Sequence, residues 1–519
     1  MNMQKNSKIV LLLAVLVAGN LLLWTSNTMA RRGDAFEQIG LLTALRRELV
    51  TSHVEEPDQE KMLKYAVEGM ISALNDPYTT YLFPEDMKQF DKHIRGSFSG
   101  IGAEVMIDQT LKRVKIVSPL EESPAWKAGI MAGDIIYEID GKDTEGLSIN
   151  DAVGMLTGQQ GTQVTILVRH KTGEKQTIQI TRARINIQTV KGFKRDKDHH
   201  WNYMLDEQNK IGYIRLTQFN EKSGPDMRLA LNQLNAQGAK AVILDLRFDP
   251  GGLLPTAIEV ADMFLPGGQK IVSVKGRVVP ETTEYSTDSG TAFTGEVVVL
   301  ANENSASASE IVTGALHDNH RGKFFGTRTF GKGSVQQLRP LASGEGALKI
   351  TNAYYYLPNG EKIHRVKGAE NWGVNPDPGF YVAMKSSQVT DMLKVRREGD
   401  VLNEENGAQQ AIEITPDWLR ENLKDIQLAA GLEAVIGKLT TGQWPKVGSE
   451  GGDDIRDAIL LENLIRTREL LQERMAEVVK EIKKIESGEK TDPETDKTAD
   501  VSTEIENIEK EEAVVVPAK

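Results

Sequence analysis

Cysteine is absent from all 519 residues, which excludes disulfides, a thiol nucleophile and thiolate metal ligands. Stability must then come from packing alone. A basic face is missing too. The formal charge is −12 and no strong basic patch occurs, which argues against a nucleic-acid backbone as the main partner. No convincing repeat is found, and long apolar runs are scarce. The one in the N-terminal segment follows Lys5 and Lys8, extends from Ile9 to Trp24, and is broken only by Gly19 and Asn20. It is shorter than the ~20 residues a membrane-spanning helix needs. Thr28-Met29-Ala30 places small residues where a signal peptidase reads. Residues 1–30 therefore read as a cleaved secretory signal, with Arg31 and Arg32 keeping an inner-membrane anchor as the alternative. The expected location is outside the cytoplasm, in a bacterial periplasm or cell envelope.

What is present divides into blocks. In 31–95, Ile39, Leu42, Leu45 and Leu49, then Met62, Tyr65, Ala66, Met70 and Leu74, recur at helical spacing, and Asn75-Asp76-Pro77 stops the second helix. Residues 96–184 alternate short strands (103–107, 114–120, 134–139 and a last one at 164–168) with helices near 125–128 and 149–156. In 185–385, apolar runs at 211–216, 241–246 and 297–301 alternate with helical stretches at 227–237, 253–264 and 308–316, the pattern of α/β architecture. Later segments of that block turn strand-rich, with a hairpin signal at Pro358-Asn359-Gly360. From 386 to 486 the chain reads as polar and helical, with an amphipathic helix marked by Ile455, Ile459, Leu464, Leu471, Met475, Val478 and Ile482. Residues 487–519 read as an acidic disordered tail.

The sharpest chemical signal is VVVLANENSASASEIVTGAL (297–316), where a buried strand meets a helix at alternating serines and alanines. A helix start offers free N–H groups and a positive dipole end, so an oxygen nucleophile there finds donors for a developing oxyanion. Capping is the competing use, since Ser307-x-x-Glu310 matches the reciprocal box. A base is needed as well. Among eight histidines only His364 is plausibly placed. His317-x-x-His320 lacks a third ligand nearby for a metal, and no cofactor is implied. Lys332, between Gly331 and Gly333, is the other option, because desolvation lowers a lysine pKa. On a strand Gln336 would face the same side as Lys332. The stretch Gly326-x4-Gly331-Lys332-Gly333 is one residue short of a phosphate loop and is followed by strand-like sequence, so nucleotide binding fails on both counts. Asp249-Pro250-Gly251-Gly252, between a strand and a helix, can aim N–H groups into a cleft.

SASASEI, DLR-x-DPGG and FGKGSVQ, with twenty-five residues from Ser307 to Lys332, together resemble the carboxy-terminal processing (tail-specific) proteases. The likeness runs from about Gln38 to Tyr381 and includes GMISALNDPYTTYLFPEDM at 69–87. It implies a multidomain α/β (α+β) chain: a serine protease core at 185–385, a small β-rich PDZ-like domain at 96–184, and helical N- and C-terminal regions. It implies Ser307 as nucleophile, Lys332 as general base and Gln336 as its positioner. The oxyanion donors would be the backbone N–H groups of Ala308 and of Gly251 or Gly252. Phe98, Ser99, Gly100, Ile101, Gly102 and Ala103 would form the carboxylate-binding loop, with a substrate tail adding as a strand beside 103–107. Partners would be proteins with accessible apolar C-termini, with an adaptor and self-association through the terminal helices left open. Phe248 departs from the small or polar residue usual in the family, which bears on substrate preference. The alternative is a PDZ-type scaffold in the envelope whose protease fold has lost activity.

Overall fold

Residues 39–52 and Gln59–Ser72 are helical, as the apolar spacing predicts. Asp58 caps the second helix by accepting the Lys61 N–H at 3.0 Å, and Asn75, at φ 50°, turns the chain away beyond it. These helices belong to the first of two compact units, 1–81 and 82–519. The computed structural model describes residues 39–450, apart from breaks at 85, 88–95, 109, 197–198, 342–345, 367–368, 370 and 402–412, together with scattered residues between 461 and 483. The expected signal at 1–30 and the acidic tail at 487–519 lie outside the described residues. Those described between 461 and 483 are helical. Among the described residues no helix is long and apolar enough to cross a membrane.

The second unit opens with an antiparallel sheet in the order Ala103–Ile107, Val114–Pro119, Ile135–Ile139, Gln163–Arg169, Lys175–Thr181. Its core contains Val114, Ile116, Ile136, Ile139, Ile166 and Val168, closed by Ala152 and Leu156 of the helix Ile149–Leu156. The strand Gln163–Arg169 is not the last one, contrary to the expectation from sequence. Lys175–Thr181 pairs along it, and Ala183–Asn186 returns to pair with Ser97–Gly100. Only Ile178 and Ile180 of KQTIQIT are buried, so the local sequence reads as polar.

The central sheet follows the order Val190–Lys191, Ile211–Leu216, Ala241–Asp245, Glu296–Ala301, Lys323–Gly326, and the last four strands run parallel. Ile211–Leu216 and Ala241–Asp245 are buried at every position, which is why their sequences read as unbroken apolar runs. Helices Ser223–Ala236, Leu254–Asp262 and Ala308–Asp318 share one core with the sheet, through Leu231, Val260, Ile311, Val312 and Leu316. The opposite face is covered by Ile426–Thr441, whose Leu428, Leu432 and Val435 pack with Ile243, Val298 and Leu300. At roughly 1.5–3 kcal/mol for each large apolar side chain fully buried, this helix is a wall of the core rather than an appendage. The expectation of a polar region after 386 is corrected here. LAAGLEAVIG is apolar on most of its circumference, and the charged sequence around it hides that.

A second, antiparallel sheet joins Thr282–Tyr285, Lys270–Lys275, Ala347–Tyr356 and Ser334–Pro340. Beyond it the expected turn forms: the Leu357 N–H donates to the Glu361 carbonyl at 3.0 Å, and Gly360 takes φ 89°.

Candidate active site

The strand Glu296–Ala301 ends in a short turn, and Ser307 stands directly before the helix Ala308–Asp318. Its backbone takes φ 58° and ψ −114°. For a residue with a Cβ this costs on the order of 1–3 kcal/mol and persists only where the surroundings over-determine it. Glu310 supplies part of that constraint. Its Oε2 accepts the Ser307 N–H at 2.8 Å, while the Glu310 N–H donates to the Ser307 carbonyl at 2.9 Å.

Glu310 does more than cap. Its side chain is fully buried, and Oε1 accepts the Gly331 N–H at 2.7 Å and the Thr329 hydroxyl at 2.6 Å. Oε2 also accepts the Lys332 N–H at 2.8 Å. The amides of Ser307 and Lys332 thus share one carboxylate oxygen. Their carbonyls share a partner as well, since the Tyr355 hydroxyl lies against that of Ser307 at 3.1 Å and against that of Lys332. Residues twenty-five apart in sequence are held at both backbone polar groups by the same two side chains. Burial pushes the Glu310 carboxyl up to about 7, with its four donors pulling the other way. Sequence reading saw only its capping role and missed Tyr355. A charged residue inside the apolar run EIVTGAL was the available signal.

Lys332 precedes the strand Ser334–Pro340 instead of lying on it. An irregularity between Val335 and Gln336 further breaks the alternation expected to put Gln336 on the Lys332 side. The Gln336 amide nitrogen donates to the hydroxyls of Ser334 at 2.9 Å and Thr351 at 3.2 Å. Burial, then the charge of Lys349, pushes the Lys332 ammonium below the usual lysine value, with Glu310 opposing. The flanking glycines permit the close approach foreseen: a Cβ on Gly333 would stand 2.6 Å from the His364 backbone nitrogen. That contact brings His364 against the same loop, with its ring 5.0 Å from that of Tyr354.

The third element, 246–252, is bonded directly to the serine turn. The Ser305 hydroxyl donates to the Leu246 carbonyl at 2.8 Å. The Asp249 carbonyl accepts the Ser309 hydroxyl at 2.9 Å and the Ala306 N–H at 3.0 Å. The neighbouring serines therefore fasten two loops together. Gly251, at φ 91°, passes so close to Ser307 that a Cβ there would lie 2.4 Å from the Ala306 carbonyl oxygen and 2.8 Å from the Ala308 nitrogen. The Gly251 N–H donates to Asp249 Oδ1 at 2.8 Å. Burial raises the Asp249 carboxyl well above its ordinary range, and Oδ2 finds no partner among the described residues. Phe248 holds φ 63° with its N–H on Asn302 Oδ1 at 3.0 Å.

In the smaller domain, Phe98 and Gly100 lie on the strand Ser97–Gly100, Ile101 and Gly102 form the turn, and Ala103 begins the strand Ala103–Ile107. The Ile101 and Gly102 carbonyls accept the N–H groups of Ala125 at 2.8 Å and Leu120 at 2.9 Å. Ala103–Ile107 stands at the sheet edge, and the helix Ile149–Leu156 packs beside it.

An α/β core with a strained serine at a helix mouth stands beside a small β-rich domain, and each of the two matches a known family. Peptidase family S41 matches residues 210–378 and a PDZ domain matches 115–170. The chain is 35% identical to the carboxy-terminal-processing protease of Bartonella bacilliformis, over 81% of this chain and 91% of that one. It is 33% identical to the carboxy-terminal processing protease CtpA of Bacillus subtilis, over 69% of this chain and 74% of that one. A solved photosystem II D1 C-terminal processing protease is similar at 30% identity, covering 66% of this chain and 86% of that one with a TM-score of 0.38. The chain belongs to the carboxy-terminal processing protease family.

Proposed function

We propose that this peptidase works through Ser307 as nucleophile and Lys332 as general base, on proteins captured by their C-terminal ends. One observation carries the reading: Glu310 Oε2 accepts the amides of both Ser307 and Lys332 at 2.8 Å, and Tyr355 joins their carbonyls. A neutral Lys332 amine takes the Ser307 proton, and the oxygen attacks the scissile carbonyl. Gln336, whose amide nitrogen donates to the Ser334 and Thr351 hydroxyls, would act as positioner by offering its carbonyl oxygen to an N–H of the Lys332 amine. The developing oxyanion is received by the N–H of Ala308 and that of Gly252, since Asp249 holds the N–H of Gly251. The amine product leaves with the proton from Lys332, and water releases the acyl group.

The domain at 96–184 would take the substrate terminus, with the carboxylate on the turn 98–103 and the tail added to the edge strand Ala103–Ile107. Read as an export signal, the segment 1–30 would direct the chain to the bacterial envelope. Turnover of an unstructured, apolar-tailed protein by the wild type, Ser307→Ala and Lys332→Ala tests the reading. Both variants should be inactive while melting as the wild type does. Full turnover in either one overturns the dyad, and inactivity of the wild type would favour the scaffold.

A further inference from the structure

Arg247 belongs to the 246–252 turn, and its side chain is wholly buried. Nε and Nη2 grip Asp245 at 2.9 and 2.7 Å, and Nη1 and Nη2 grip Asp425 at 2.7 and 2.8 Å. Gln427 accepts from Nη1 at 3.1 Å. Tyr213 donates to Asp245 at 2.7 Å. Arg396 adds a second cation, with Nη2 on Asp245 at 3.1 Å and on Asp425 at 3.3 Å. Two guanidinium groups and two carboxylates thus balance in charge. Burial alone would raise both carboxyls, yet Arg247 and Arg396 hold Asp245 and Asp425 below the usual range. Two of these four groups come from outside the region matched to the peptidase family: Arg396 from the helix Ser386–Asp400, and Asp425 as N-cap of Ile426–Thr441.

We infer that Asp425 and Arg396 are positioning residues for catalysis, acting through Arg247 on the turn that carries the oxyanion donor. The mechanical link is short. Arg247 is followed at once by Phe248, at φ 63°, and by Asp249, whose carbonyl receives Ala306 and Ser309 of the serine turn. A buried guanidinium is held only if every face is met, because an unpartnered charge there is strongly unfavourable. Without Asp425, Arg247 must move toward other partners or water, and the turn bonded to it moves along. The helices beyond 386 therefore complete the catalytic site from behind.

The inference rests on the serine reading, so Ser307→Ala is the control. The experiment measures kcat and KM, per mole of active enzyme, on an unstructured apolar-tailed protein, together with circular dichroism and melting. Asp425→Asn and Arg396→Gln should each fold and lose kcat by about tenfold or more, as displacement of a distant support can cost, with KM within about twofold of wild type. Arg396→Lys, which keeps the charge, should recover most of the loss. If Asp425→Asn does not fold, the more accessible Arg396 pair decides. A folded Arg396→Gln or Asp425→Asn with wild-type kcat overturns the inference even if its melting point falls. Turnover by Ser307→Ala would instead overturn the serine reading beneath it.

Discussion

Four donors converge on the Glu310 carboxylate, yet burial raises it to about 7, so near neutrality it exists both as clamp and as acid. The sign of its pH effect follows. A carboxyl whose folded pKa is raised adds stability that is fully present below its ordinary 4.5 and is lost as pH rises through about 7. Glu310→Gln should flatten melting temperature across that window, and unchanged curvature in melts from pH 5 to 8 would count against it. The ionised Glu310 also raises the Lys332 ammonium against burial. In the same variant the acid limb of the kcat profile should therefore move to lower pH, while kcat itself falls as the clamp loses charge. Tyr355→Phe removes one hydroxyl between two carbonyls. Its stability loss should be about 1 kcal/mol, whereas kcat should drop about tenfold; wild-type kcat would show that Tyr355 does not set the distance between the loops. The bases of Ser307 and Lys332 as candidates were legible, because glycine flanks and a serine-rich helix start are local signals. Glu310 and Tyr355 were not, since their roles depend on loops that meet only after folding.

At the level of elements, the close pass of the 246–252 turn over the serine turn makes a strong demand. Gly251→Ala puts a Cβ 2.4 Å from the Ala306 carbonyl oxygen at φ 91°. Turnover should fall by about 10²–10³-fold, as when an oxyanion donor is displaced, and the melting point should fall with it. Normal kinetics in that variant would mean the turn is not part of the site. The central strands were readable because burial on both faces leaves apolar runs such as YIRL and AVILD with few polar interruptions. Lys175–Thr181 escaped notice because only one face of it is buried. Ile426–Thr441 was misjudged for the opposite reason: a strongly apolar helix sat within a polar region and was averaged with it. Gln336 was placed by assuming a regular strand from Lys332, and the irregularity after Val335 removes that assumption.

Across the whole molecule, the β-rich domain is tied to the core by pairs of unequal weight. Glu121 and Arg195 meet at 2.7 Å with only 11% and 6% of their side chains exposed. Glu104 and Arg397 meet at 3.1 Å in the open, a type of pair worth about 0–1 kcal/mol. The first is the one whose loss should matter: Glu121→Gln should lower stability measurably, and Glu104→Gln should not. Capture by a C-terminal carboxylate makes a second prediction at this scale. A peptide with a free apolar C-terminus should be cleaved with a KM roughly tenfold below that of its amidated twin, and equal KM values would remove the capture step. A small β-rich domain beside the peptidase core was legible from the clustered glycines and short strands that follow the helical segment, whereas the route from Arg396 and Asp425 to the site crosses between helices and turns that no local pattern connects.

The most direct measurement is covalent labelling by a fluorophosphonate probe, with the modified residue located by mass spectrometry in the wild type and in Lys332→Ala. The dyad predicts one adduct, on Ser307, that forms far more slowly once Lys332 is gone. Labelling on another residue, or at an undiminished rate without Lys332, would contradict it.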